Sequence, residues 1–317
     1  MPKVGLWMYE NDGGIHIKKK IIKKLKDKGY DVVTDFDMRN CYLKNGKVYT
    51  EEGISLSEVD IFYHMNADEQ NDFQNDILKM LEISGVKVFN NYEAFMKCKD
   101  KVIANTILRQ NDILVPNSYL INNHCSFEYL EKIMKEFKTV IIKPRKNHGG
   151  KGILKIDNME SFWDYYVASK NYIDNYYIEE YIDFSENDYR VEVFDGKVVA
   201  TYCRGKNGTY KTNISSGGKM LDKEVPKCCE EIALKCAKVL GITTTIVDMI
   251  KSNKDGNYYV LEVNPIMGIF LEEGMKAGTK MPVTKDIPNR FKTDKKKIEV
   301  IINYIDEYME KKYGKEF

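Results

Sequence analysis

Asp248, Glu262 and Asn264 are the residues whose types and spacing could do chemistry. They lie in Ile242–Gly268, ITTTIVDMIKSNKDGNYYVLEVNPIMG. There, two runs rich in β-branched and aromatic residues flank Asp255-Gly256, a hairpin signal. Alternate strand side chains share a face, so Asp248 falls with Ile246 and Ile250, and Glu262 and Asn264 fall with Val260. A three-residue loop at Lys254–Gly256 sets Asp248 opposite Glu262. Carboxylates that close repel one another and lose hydration. A hard divalent cation relieves both costs, and Mg²⁺ suits one or two carboxylates plus phosphate oxygens and water. An ordinary surface hairpin uses the same residue types, so the other segments must decide.

The segment Lys143–Ile153, KPRKNHGGKGI, carries Gly149, Gly150 and Gly152. Glycines so spaced can turn backbone N–H groups toward phosphate. Lys143, closing the apolar run that starts at Val140, can meet the same phosphates as a point charge. A hairpin tip favours glycine too. Neither GxxxxGK[ST] nor GxGxxG occurs, which argues against a P-loop and against a dinucleotide fingerprint.

The 317 residues suffice for two or three packed units, and 43% hydrophobic content marks a globular chain. The net charge of +1 gives no general affinity for nucleic acid. Lys18–Lys20 and Lys295–Lys297 sit among apolar residues, as solvated helix faces do. Seven scattered cysteines without a CxxC pair, and four dispersed histidines, support neither structural zinc nor a disulfide framework. No signal-peptide core or membrane-length apolar run is found, so the expectation is a cytoplasmic protein without membrane contact.

Strands at Val4–Tyr9, Tyr30–Phe36, Val59–Tyr63 and Val86–Phe89 alternate with amphipathic helices at Ile15–Lys28 and Asn71–Ile83. That rhythm predicts a small parallel α/β sheet over residues 1–95. Tyr92–Gln110 reads as one helix carrying Asp100-Lys101. Strands and helices through Tyr176–Ile182 make a small α+β unit over 96–178. The remainder, 179–317, reads as a larger antiparallel sheet with helices. It includes a hairpin about Asp195-Gly196, a polar loop over Lys211–Met220 and helices at Val225–Leu240 and Lys295–Tyr313.

Taken in order, CKDK at 98–101, VIIKP…GGKGI at 140–153, IEEYI at 178–182, DYRVEV at 188–193, TNISSGG at 212–218 and VDMI…VLEVN at 247–264 resemble the ATP-grasp superfamily. The resemblance is to its RimK-type amino-acid and peptide ligases and covers about residues 90–270. It implies an ATP-grasp fold: a small parallel-sheet domain, then two α+β subdomains clasping a nucleotide. It implies that Lys101 and Lys143 contact the ATP phosphates. Glu180, Tyr181 and Ile182 match the hinge that meets adenine through its main chain. Asp188 and Asn213 match nucleotide-site positions. Asp248, Glu262 and Asn264 match Mg²⁺ ligands, for two ions with Glu262 shared and Mn²⁺ as an alternative. Arg190 and Arg204 match arginines facing the acyl phosphate. With a two-residue turn at Asp195-Gly196, Arg190 pairs with Thr201 and Arg204 faces the other side. Both can serve only if a bulge intervenes, with Gly205 the nominated place.

The implied activity is ATP-dependent amide formation through an acyl phosphate, on a small-molecule or peptide carboxylate and an amine. A ligase acting on a ribosomal precursor peptide and a non-catalytic ATP-binding relative stay as alternatives. Related ligases often form homo-oligomers, and that option is open here. One departure concerns substrate: Pro265-Ile266-Met267-Gly268 stands where these ligases carry Ser-Pro-Gly, beside the acceptor pocket.

Overall fold

The computed structural model describes residues 1–8, 14–65, 73–146, 152–185, 187–206, 208–213, 218–221, 223–269 and 288–314. Gly149, Gly150 and Gly217 lie outside them.

The first unit begins with β1 (Lys3–Met8), α1 (Gly14–Asp27) and β2 (Asp31–Val33). A short hairpin absent from the sequence reading follows, β3 (Tyr42–Lys44) and β4 (Lys47–Tyr49), with the Tyr42 and Tyr49 rings stacked. Then come β5 (Ile61–Met65), α2 (Phe73–Ile83) and β6 (Lys87–Phe89). The sheet is parallel, in the order β2-β1-β5-β6. Its central strands, β1 and β5, are buried on both faces, hence their unbroken apolar runs.

The predicted single helix over Tyr92–Gln110 is two, α3 (Tyr92–Lys99) and α4 (Lys101–Gln110). Asp100 breaks it: its backbone is extended, and its carboxylate caps α4 by accepting from the N–H groups of Val102 and Ile103. Arg145 holds the same carboxylate. A second sheet follows, built from β7 (Ser118–Asn122), α5 (Phe127–Phe137), β8 (Val140–Lys143), β9 (Leu154–Ile156), α6 (Met159–Ser169) and β10 (Asn175–Glu180). It is antiparallel in the order β7-β10-β8-β9, and α5 and α6 share its core.

The third sheet, β13-β12-β11-β14-β15, comprises β11 (Asn187–Phe194), β12 (Lys197–Gly205), β13 (Lys219–Leu221), β14 (Thr244–Lys251) and β15 (Tyr258–Asn264). The helix α7 (Lys227–Leu240), ended by Gly241 in the left-handed region, packs on one face with α3 and α4. The opposite face carries the charged residues of the site. The last helix, α8 (Pro288–Tyr313), returns to the first sheet, where Ile298, Ile301, Ile302, Ile305 and Met309 share a core with Val4, Leu6 and Ile61. Tyr30 and Lys28 anchor it through Asp306, and Lys312 and Tyr313 meet Asp60. No helix among the described residues is long and apolar enough to cross a membrane.

His64, at the end of β5, is buried; its Nε2–H donates to the Asn90 carbonyl at 2.9 Å, and its ring stands edge-on to Phe95. Burial pushes its pKa down to about 4, against the upward pull of the Asn90 bond. The unfolded chain, titrating near 6.5, therefore binds the proton first as pH falls. Stability present above about pH 6.5 is lost toward pH 4. Between pH 7 and pH 5 this site alone removes about 2 kcal/mol. Urea unfolding at the two pH values should show that loss and His64→Gln should abolish it; an equal loss in the variant would assign it elsewhere.

Candidate active site

Two β-bulges set the geometry. The β14–β15 loop is longer than predicted, with Lys251 pairing with Tyr258 across Ser252–Asn257. That register alone would put Leu261 opposite Asp248. Leu261 is instead bulged out, and Asp248 pairs with Glu262. The expected opposition of the two carboxylates is present, reached by another route. The bulge also corrects the placing of Val260: it joins Val247, Met249 and Val263 in the core instead of sharing Glu262's face.

The second bulge resolves the arginine conflict. Asp195 and Gly196 both have positive φ, as a type I′ turn requires, and Phe194 pairs with Lys197. Val199 then bulges, so that Arg190 pairs with Tyr202 and Asp188 with Arg204. The two arginines share a face. The bulge lies beside the turn, not at Gly205.

A cleft of about 880 Å³, counting the space open to solvent at its mouth, lies between the second and third sheets. One wall presents Ile141, Lys143, Glu179, Glu180, Tyr181 and Ile182; the other presents Asp188, Arg204, Asp248, Ile250, Leu261 and Glu262. Lys101, at the first turn of α4, also lines it. Tyr210, Thr212 and Asn213 close one side, where the Tyr210 hydroxyl donates to the Ile153 carbonyl at 2.9 Å. Gly218 permits the tight path of this loop: its N–H donates to the Asn213 carbonyl, and a Cβ there would lie 2.0 Å from the Thr212 carbonyl oxygen.

Charges in the cleft are matched. Lys101 Nζ lies 2.9 Å from Glu262, and Lys143 pairs with buried Glu179. Arg190 Nε donates to Asp248 Oδ1 at 2.6 Å, and Arg204 spans Asp248 and Asp188. Thr212 Oγ1 donates to Asp188 at 2.6 Å. Burial disfavours the charge on Arg190, but the Asp248 carboxylate outweighs it and its pKa lies well above the usual arginine value. Arg204 is raised too, burial and the neighbouring Arg190 opposing, Asp248 and Asp188 prevailing. Both guanidiniums are permanent cations aimed at Asp248.

Arg204 lines the cleft, whereas Arg190 lies outside its lining, behind Asp248. Asn264 stands one face-sharing position beyond Glu262, paired with Ile246, and is also outside the lining. Its buried Nδ2 has no hydrogen-bond partner among the described residues. At the hinge, the Glu180 and Tyr181 N–H groups already donate to the Asn117 and Thr139 carbonyls. Gly152 has φ +72°, and a Cβ there would stand 2.8 Å from Pro144 Cγ, so this turn accepts only glycine without movement.

The RimK-like ATP-grasp domain model matches residues 98–287, more than half the chain and the whole of this cleft. The chain belongs to the RimK-like ATP-grasp family. Similar proteins in sequence include the alpha-aminoadipate–LysW ligase LysX of Saccharolobus solfataricus, 24% identical over 78% of this chain and 88% of that protein. The coenzyme gamma-F420-2:alpha-L-glutamate ligase of Methanococcus maripaludis is 32% identical over 62% of this chain and 68% of its own length. In fold, the D-alanine–D-alanine ligase of Bacillus anthracis is similar at a TM-score of 0.66 and 18% identity, covering 98% of this chain and 100% of that one. The ATP-grasp ligase PsnB, complexed with a minimal precursor, is similar at 0.63 and 17%, covering 96% and 98%. This RimK-like chain is thus an ATP-grasp carboxylate–amine ligase, of a family that binds ATP with Mg²⁺.

Sequence reasoning missed Glu179 and Thr212. Alternation along Tyr176–Ile182 could have found the first: it puts Tyr177, Glu179 and Tyr181 on one face, and Lys143 pairs with Tyr177. Thr212 gives no such signal, since its partner Asp188 lies across an irregular loop.

Proposed function

We propose that the cleft holds ATP between the two sheets and uses it to join an amino-acid or peptide carboxylate to an amine. The observation carrying this is the Asp248–Glu262 pair, set by the bulge on the face that also presents Arg204, with Lys101 reaching Glu262 from α4. The donor set fits a hard cation: two carboxylates and an amide, all offering oxygen. No group of three His, Cys, Asp or Glu converges among the described residues, so a bound cation would take its remaining ligands from phosphate oxygens and water. Asp248, Glu262 and Asn264 would hold Mg²⁺, with two ions sharing Glu262. When bound, Mg²⁺ neutralises phosphate charge as it develops.

The chain's own residues do the rest. Lys101 and Lys143 exchange Glu262 and Glu179 for phosphate oxygens. The apolar side chains Ile141, Ile250 and Leu261 offer a bed for adenine, and the Ile182 N–H, without a partner among the described residues, can meet its edge. A substrate carboxylate oxygen attacks the γ-phosphorus and ADP departs. Arg204 stabilises the charge on the transferring group, with Arg190 fixing Asp248 behind it. The amine nitrogen then attacks the acyl carbon, phosphate leaves with the former carboxylate oxygen, and the nitrogen gives up a proton. Glutamate is the first carboxylate or amine to try, because relatives are glutamate ligases. The three-part division at 1–95, 96–178 and 179–317 is kept with one boundary moved: β10 runs on to Glu180, so the second unit ends after that strand, while α3 and α4 pack on the third sheet and the last helix docks back on the first part. All seven cysteines are unpaired, which suits the reducing cytoplasm.

The test pairs ¹⁸O-carboxylate amino acids with amines and follows ADP and product by mass spectrometry. One ¹⁸O should pass to phosphate for each amide formed; amide formed without ¹⁸O transfer contradicts the route. A second test isolates Lys143. Lys143→Met strands buried Glu179 and should lower both stability and nucleotide affinity. Lys143→Met with Glu179→Gln should recover stability while the ATP-analogue Kd stays raised about tenfold or more. Recovery of both by the double variant would remove Lys143 from the phosphate site.

A further inference from the structure

The turn after β15 is gripped from three directions. The Asn264 carbonyl accepts from Thr245 Oγ1 at 2.7 Å, the Pro265 carbonyl from Asn90 Nδ2 at 2.7 Å, and the Gly268 carbonyl from Lys297 Nζ at 2.7 Å. The three donors come from β14, from the residue following β6, and from α8. All are buried, Thr245 and Lys297 fully. Asn90 also bridges the Thr244 carbonyl and N–H, tying the start of β14 to the same turn. Met267 and Ile269 plug the turn into the core shared by the first sheet and α8.

This arrangement is poorly explained by stability. Lys297 is a fully buried ammonium held by Glu192 and Asp294, and such a set commonly does no better than apolar packing. What it does provide is a fixed backbone. The Asn264 side chain needs one, because its buried Nδ2 has no partner among the described residues to orient the amide. Its aim must come from the main chain.

We propose that Asn90, Thr245 and Lys297 are positioning residues for Asn264, so that the first sheet and the last helix fix the amide of the metal site. The inference rests on the reading of Asn264 as a metal ligand. Residues that orient metal ligands typically change affinity 10–100-fold when lost. Substituting Asn90 or Lys297 strands buried partners and risks the fold, so Thr245 is the clean probe: Thr245→Val deletes one donor and Thr245→Ser retains it.

The experiment measures Mn²⁺ affinity of the full chain by electron paramagnetic resonance with a saturating non-hydrolysable ATP analogue. Analogue affinity in chelator is measured alongside. Thr245→Val should weaken Mn²⁺ about tenfold and leave the chelator value within about twofold, and Thr245→Ser should bind as wild type. In an Asn264→Ala background, Thr245→Val should add nothing further, because its effect passes through Asn264. Unchanged Mn²⁺ affinity in Thr245→Val, or an equal additional loss in the Asn264→Ala background, overturns the positioning role alone. A wild-type chain binding neither Mn²⁺ nor analogue overturns the metal-site reading beneath it.

Discussion

Glu262→Ala should lose amine-dependent ADP release by more than about a hundredfold, the scale on which one preorganised electrostatic partner is felt. Glu262 is opposite Asp248 on the ladder and 2.9 Å from Lys101. Removing it deletes a metal oxygen and takes one carboxylate partner from the lysine that should meet the triphosphate. The two losses act differently. Lys101 without Glu262 remains a cation in a cleft built for phosphate, so analogue binding in chelator should hold or tighten. Metal-dependent binding should fall. Glu262 is partly exposed, so folding should change little. Near-normal turnover in the variant would remove the hairpin from the reaction.

Arg204→Ala should be costlier to the molecule. Arg204 spans Asp188 and Asp248, both almost fully buried. Truncation leaves Asp188 with Thr212 as its remaining side-chain partner and Asp248 with Arg190. Breaking a buried ion set in this way costs about 3–5 kcal/mol. Turnover should fall by about a thousandfold or more, as when an arginine that stabilises a transferring phosphoryl group is lost. The effects can be separated. Arg204→Ala with Asp188→Asn removes the stranded carboxylate and should regain much of the stability in urea, with turnover still low. Arg204→Lys restores the charge without the fork and should recover stability more than rate. Full turnover in the stabilised double variant would exclude Arg204 from the chemistry.

Much of this was legible because strand alternation is a strong constraint. The apolar runs at β1, β5 and β6 gave the parallel sheet, and Asp195-Gly196 specified its turn. The opposition of Asp248 and Glu262 could be foreseen, but not its route. A bulge inserts one residue whose position depends on the twist of the finished ladder, so neither Leu261 nor Val199 announces itself. The break at Asp100 was readable in principle as an N-cap inside a helical run. The grip of Asn90 and Lys297 on Pro265 and Gly268 was not. Each is one polar residue in an unremarkable local pattern, and its meaning comes from carbonyls far along the chain, 175 residues away for Asn90.

The most direct test is a crystal of the full chain grown with Mn²⁺ and a non-hydrolysable ATP analogue, with anomalous scattering used to locate the metal. The prediction is a manganese peak within coordinating distance of Glu262 and of Asp248 or Asn264, with the triphosphate between Lys101 and Lys143. A nucleotide bound in the cleft with its manganese coordinated away from all three side chains would contradict it.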